Sequence, residues 1–262
     1  MLNTSLNVLV GSNSPIAFKK KQEDFLNIKV KQGLTKSLNS ESNIFYSPKI
    51  SFSGRQFTVP KEIQAEIKEA LDNEVFEFVT PAGEKLEGSV ADYIKACISK
   101  MTENDTAQGL LHGTMQEVRS NIIKNGFDPD KVTRTLAGPG TCFTGSEYEA
   151  HMLGGGAVIS CDYNGSTARF QHGFYEKIRT NEKIKSIVDE KLGTNIEKYK
   201  GWSEAYSSAI NKIEKCIDSY TRDVIINKLH IDAGIDPGNY PCYPACFVVY
   251  NTKKIHNIQA YN

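Results

Sequence analysis

The sequence predicts a mixed α+β protein whose sheet leans antiparallel. Strand-like segments outnumber the strand–helix–strand units that a parallel sheet requires. Segments with apolar residues at helical spacing cluster in two places, before residue 104 and across 174–230. Two short strands, Cys246 to Asn251 and Ile255 to Tyr261, follow one another with no helix between them.

Residues 1–58 are polar, rich in Lys, Ser and Asn, and weakly periodic. Their first 22 residues hold no acidic side chain, and the basic cluster Lys19-Lys20-Lys21 follows the apolar Leu6-Asn-Val-Leu-Val10 instead of preceding it. That order argues against a secretory signal peptide, so a partly disordered or loosely structured leader is expected. A helical addition with a hairpin is read over 59–104. Its first helix opens with Pro60 in the first turn and carries Ile63, Ile67 and Leu71 on one face. A hairpin turns at Pro81-Ala-Gly83, and a second helix starts after Ser89 and runs Val90, Tyr93, Ile94, Cys97, Ile98, Met101 along its apolar side. From 105 to 262 the reading is one domain. It holds a strand ending at Leu111, a helix from Thr114 to Asn125, and a Gly-Pro-Gly turn into a short Thr141-Cys-Phe-Thr144 strand. A helical turn, a triple-glycine connection at 154–156, the strand Ala157 to Tyr163, a helical insertion over 174–230 and the two terminal strands complete it. In the insertion Tyr206, Ala209, Ile210, Ile213 and Ile217 share a face.

Composition narrows the class. With 39% hydrophobic and 24% charged residues the chain is ordinary for a globular protein. Lys plus Arg and Asp plus Glu are both 31, so net charge gives no electrostatic case for nucleic acid or an anionic membrane. No apolar run approaches the roughly 18 residues of a membrane span. The six cysteines form no Cys-x-x-Cys pair, which favours a reducing compartment such as the cytoplasm. Cys242-x3-Cys246 with Cys161 and His256 lacks the second cysteine pair of a structural zinc site, and buried thiols are the better account.

The chemistry concentrates at Leu110-Leu-His-Gly-Thr114. Thr114 and Glu117 have the spacing of a capping box, Met115, Val118, Ile122 and Ile123 supply the helix's apolar face, and Asn125-Gly126 ends it. His112 is thereby expected at the mouth of a strand–turn–helix, where it either closes the turn or meets a polar ligand.

Three segments in order, His112-Gly113-Thr114 with Asn125-Gly126-Phe127, Gly138-Pro-Gly-Thr-Cys-Phe-Thr144, and Cys246-Phe-Val-Val-Tyr-Asn251, resemble the motifs of the poly(ADP-ribose) polymerase-like, or diphtheria-toxin-like, ADP-ribosyltransferases. The resemblance covers about 105–262 and implies that family's fold, NAD as cosubstrate and a protein as acceptor. It implies that His112 bonds the nicotinamide-side ribose, that the Gly113 backbone holds the carboxamide, and that Thr114 supports the pocket. Where the family has a stacking tyrosine this sequence has Cys142, and Tyr148, six residues on, is the candidate to replace it from the following helical turn. Where polymerising members have a glutamate it has Cys246. Glu147 and Glu149 offer carboxylates nearby, though two residues apart on a helix they face different ways. His112, Cys142 and Cys246 are thus the candidate catalytic positions, and His112, Gly113, Thr114 and Tyr148 the candidate NAD contacts.

The expectation is a protein mono-ADP-ribosyltransferase releasing nicotinamide, a bacterial effector or toxin in type, acting in a host cytoplasm if secreted. An inactive binding module of the same fold and a cysteine-dependent hydrolase using His112 and Cys142 are the alternatives.

Overall fold

The computed structural model describes residues 59–131, 133–135, 137–199, 203–236 and 246–261; the leader expected at 1–58 lies outside them. In chain order the elements are α1 (Lys61–Asp72), β1 (Phe76–Val79), β2 (Lys85–Gly88), α2 (Val90–Ala96), β3 (Ile98–Thr114) and α3 (Gln116–Asn125). There follow β4 (Thr133–Thr135), β5 (Gly138–Phe143), α4 (Glu147–Gly154), β6 (Ala157–Phe170), α5 (Phe174–Arg179), α6 (Glu182–Leu192) and α7 (Glu204–Asp223), which runs on into a π-turn, Val224–Lys228. Strands β7 (Ala233–Asp236), β8 (Cys246–Val249) and β9 (Ile255–Ala260) complete the order. The architecture is mixed α+β with a mainly antiparallel sheet.

The helices obey their local signals. Ser89 Oγ accepts from the Asp92 N–H while the Asp92 carboxylate accepts from the Ser89 N–H, a complete capping box that starts α2 and contributes about 1 kcal/mol. Asn181 caps α6 and Ser203 caps α7 through the side-chain oxygen alone, which accepts from the Ile184 and Tyr206 N–H groups respectively. Pro60 is the cap residue of α1 itself, one position ahead of the first turn. Leu71, Phe76, Tyr93 and Ile94 from the N-terminal segment interlock with Ile178, Ile184, Val188, Ile213 and Ile217 from the helical insertion in one core, each contributing about 1.5–3 kcal/mol by leaving water. The described residues accordingly belong to a single compact unit. The boundary expected at 104/105 falls inside β3.

Two expected elements change type. The helix read through Met101 stops at Cys97, whose N–H closes on the Tyr93 and Ile94 carbonyls. Ile98 then pairs with Phe170, and the following residues run as a strand of 17. Helical spacing in Ile98 and Met101 is overridden by cross-strand pairing. The Gly-Pro-Gly segment is strand rather than turn, pairing Gly138, Pro139 and Gly140 with Thr135, Arg134 and Thr133.

The sheet grows from the β3–β6 ribbon, antiparallel from Ile98↔Phe170 to Thr114↔Ala157. The other edge of β6 is shared by β9 and, in parallel, by β7. Strand β7 pairs β8 and β8 pairs β5, both antiparallel. Then Leu111 and Thr144, the residue after β5, exchange both backbone hydrogen bonds at 2.9 Å. That bridge closes the circuit β3–β6–β7–β8–β5. Strand β7, which the sequence did not announce, contains Gly234 because a Cβ there would lie 2.2 Å from the Tyr250 hydroxyl oxygen.

Helix α4 crosses β3 backbone against backbone. A Cβ on Gly113 would lie 1.8 Å from the Ala150 carbonyl oxygen, and one on Gly154 would lie 2.0 Å from the Gly113 carbonyl carbon. The triple glycine is thus no loose connection at its first member. Gly155, at φ 77, ends the helix.

Among the described residues no helix is long and apolar enough to cross a membrane.

Gly113→Ala or Gly154→Ala is expected to destabilise the protein by about 3 kcal/mol or more, since neither backbone can yield to the added methyl. Gly145→Ala, where a Cβ meets nothing within 4 Å, should stay within about 0.5 kcal/mol of wild type. Urea unfolding midpoints of the three variants check both statements, and equal midpoints for all three would contradict the tight crossing.

Candidate functional site

His112 belongs to the paired part of β3, opposite Ile159, and not to the mouth of a turn. The strand continues through Gly113 and Thr114, so Thr114, buried and paired with Ala157, is committed to the sheet and caps nothing. Helix α3 starts instead at Met115, which provides no side-chain cap and is 54% exposed. Of its expected apolar face Ile122 alone is buried, and Ile123 joins Met115 outside.

The bridge at Leu111 and Thr144 sets the register across the seam between β3 and β5, with His112 facing Phe143 and Gly113 facing Cys142. The ladder does not continue to that next pair, for the bridge is single. The Cys142 carbonyl oxygen meets His112 Nδ1 at 2.9 Å. A carbonyl oxygen only accepts, so Nδ1 carries the proton and donates, which leaves Nε2 of the neutral ring as an acceptor. Burial holds the imidazole below its ordinary 6.5, opposed in part by the bond to Cys142. Two rings enclose it. Phe127 stands edge-on at 5.1 Å and 89°, Phe143 is tilted at 5.5 Å, and the two phenyl rings are themselves 5.4 Å apart.

Backbone alternation turns the N–H and C=O of Gly113 to the edge that Leu111 uses for Thr144, so they face the seam. Side-chain alternation along β5 turns Cys142 to the opposite face from Phe143 and hence from the imidazole. The hydrolase reading needs the imidazole at the thiol and finds it at the backbone oxygen. Tyr148, expected as a replacement ring, is 73% exposed on α4 beside Met152, 67% exposed one turn on. The rings actually at His112 are Phe127 and Phe143. Both stand inside the quoted motifs, next to Gly126 and Cys142, but nothing in their spacing says that they meet.

Of the two carboxylates, Glu149 turns back to β5 and accepts from Thr144 Oγ1, its N–H taken by Ser146 Oγ. Glu147 faces Tyr261 and His151. The strand starting at Cys246 is not the direct neighbour of β3, because β5 lies between β8 and β3. The offset is two strand spacings, about 10 Å. The Cys246 backbone pairs with Asp236, and the role expected of its side chain lies outside the described residues. Asn251 of the same motif donates to Asp232 at 2.7 Å and ties the chain after β8 to the start of β7. Cys161 is buried in the sheet, its thiol pushed up to about 12 by desolvation. Cys242 lies outside the described residues. Among those described, no three His, Cys, Asp or Glu side chains gather to hold a metal.

The arrangement offers one oriented hydrogen-bond acceptor on an apolar wall, with backbone polar groups of a glycine beside it. No protein-family model matches the chain, and no curated protein sequence matches it.

His112 titrates lower folded than the ordinary 6.5, so below that value the unfolded chain binds the proton first. Its contribution to stability is full above pH 6.5 and is lost as pH falls toward the lowered folded value. Chemical unfolding between pH 7.5 and 5 is expected to show wild type losing stability faster than His112→Gln. Parallel pH curves would contradict the burial of a neutral ring.

Proposed function

We propose that the protein binds NAD at the seam between β3 and β5 and transfers a single ADP-ribose to a protein side chain, releasing nicotinamide. One observation carries the reading. The three motif segments, far apart in sequence, stand on consecutive strands in the order β3, β5, β8, with His112 fixed at the junction of the first two.

Bound NAD supplies an activated glycosidic bond whose cleavage develops positive charge at the anomeric carbon. The protein's share is positioning. Nε2 of His112, held as an acceptor by the bond from Nδ1 to Cys142, accepts a hydrogen bond from a ribose hydroxyl. The Gly113 N–H and C=O have the complementary donor and acceptor for a carboxamide, while the space left by its missing Cβ is taken by the α4 backbone. Phe127 and Phe143 exclude water from the imidazole and keep it neutral. Elongation of an attached ADP-ribose needs a base for its hydroxyl, and Cys246 is a poor one, because a thiol accepts hydrogen bonds weakly and is mostly protonated at neutral pH. The acceptor is therefore a side chain nucleophilic in itself, and the product is single units.

A second reading, binding without turnover, is favoured by one feature. Cys142 has no ring to stack, and the exposed Tyr148 is turned to solvent.

Incubation with NAD and candidate acceptor proteins, followed by mass spectrometry, separates the two. Single additions are expected, reduced by about tenfold or more in folded His112→Ala through loss of about 1–3 kcal/mol. Ladders of ADP-ribose would sink the assignment of Cys246. Equal turnover by the His112→Ala protein would sink the role of His112.

A further inference from the structure

The three-ring cluster at the end of β3 goes further than the contact list of a core. His112, Phe127 and Phe143 each meet the other two at 5.1 to 5.5 Å. Phe143 is placed by the sheet. Phe127 is placed by a different device: α3 closes at Gly126, whose N–H bonds the Ile122 carbonyl and whose φ of 80 returns the chain. The fifteen-residue excursion from His112 through α3 thus ends by setting an aromatic ring edge-on against the residue it left. A leucine would fill the same apolar space. A flat ring at 89° to the imidazole does something more, because it limits rotation of the imidazole about its Cβ–Cγ bond.

We propose that Phe127 is a positioning residue for His112, fixing the imidazole plane so that Nδ1 stays on the Cys142 carbonyl and Nε2 stays presented as an acceptor. The purpose given to that acceptor rests on the NAD reading; the positioning does not. Each element packed on His112 contributes a neutral surface: β5 the Cys142 carbonyl and Phe143, β6 Ile159 with the Cys161 thiol further along, and the chain after α3 the ring of Phe127. Asp128, the charge next to Phe127 in sequence, is exposed and 3.8 Å from Lys131. With no ion pair to His112 among the described residues, the orientation of its ring depends on the one hydrogen bond and the two phenyl rings.

The test uses the full chain labelled with 15N at histidine, comparing wild type, Phe127→Leu and Phe127→Tyr. Wild type should show the pure Nδ1–H tautomer and a His112 midpoint below 6.5. In Phe127→Leu the ring nitrogens should move toward a tautomer mixture and the midpoint should rise toward 6.5, with kcat for NAD cleavage falling about ten- to a hundredfold. Phe127→Tyr, which keeps the ring, should restore tautomer, midpoint and rate. If Phe127→Leu fails to fold, Phe127→Met, flexible and of similar volume, takes its place. An unchanged tautomer and midpoint in either folded variant overturns the proposal. Altered nitrogen signals in a protein that never consumes NAD would uphold the positioning and overturn the transferase reading.

Discussion

Two backbone hydrogen bonds between Leu111 and Thr144 govern the rest of the site. Their net worth is small, about 1 kcal/mol each, yet they fix a register. With Leu111 opposite Thr144, residue 112 must face residue 143, and the imidazole meets the Phe143 ring. Residue 113 must face residue 142, and the Cys142 carbonyl comes within reach of Nδ1. Helix α4 starts only a few residues after the bridge, so its course back over Gly113 is set by the same crossing. A slip of one residue would turn His112 to the α4 face, where the backbones already touch.

How much of this was legible depended on where the deciding contact lay. Ser89 as the cap of α2, and the face of Ile67 and Leu71, are local statements and were read correctly. Thr114 with Glu117 is also a local statement, and it misled. The hydroxyl has the right spacing for a cap, but the residue belongs to the β3–β6 ladder, and a residue in a ladder cannot also head a helix. Ile98 and Met101 misled for the same reason. The polar run from Ser99 to Gln108 conceals a strand because it has one neighbour, β6, and otherwise faces water. The histidine was legible as a candidate because of its motif. Its companions were not: Tyr148, six residues after Cys142, was read as the replacement ring, whereas the rings that stand at His112 are Phe127 and Phe143.

The motif glycines also read differently in three dimensions. Gly140 makes room for β8 and the ring that follows it, since a Cβ there would lie 2.5 Å from Val248 Cγ1 and 3.1 Å from Tyr250 Cδ1; Gly234 makes room for the same Tyr250 ring, whose hydroxyl donates to the Ala137 carbonyl. The glycines of the second motif and the tyrosine of the third are two halves of one packing arrangement. Part of what looks like a binding signature in the sequence is therefore the means by which β5 and β8 come to lie together.

Strand β5 is held on one side by β8, where Phe143 meets Phe247, roughly a hundred residues away in sequence. Contacts of such separation carry a high loop-closure cost and form late. The β3–β6 ribbon can form before β8 docks, but the seam beside His112, like the core that takes in Val248 and Tyr250, is completed only with β8. The geometry around His112 is thus completed only when a segment roughly a hundred residues from β5 has docked against it.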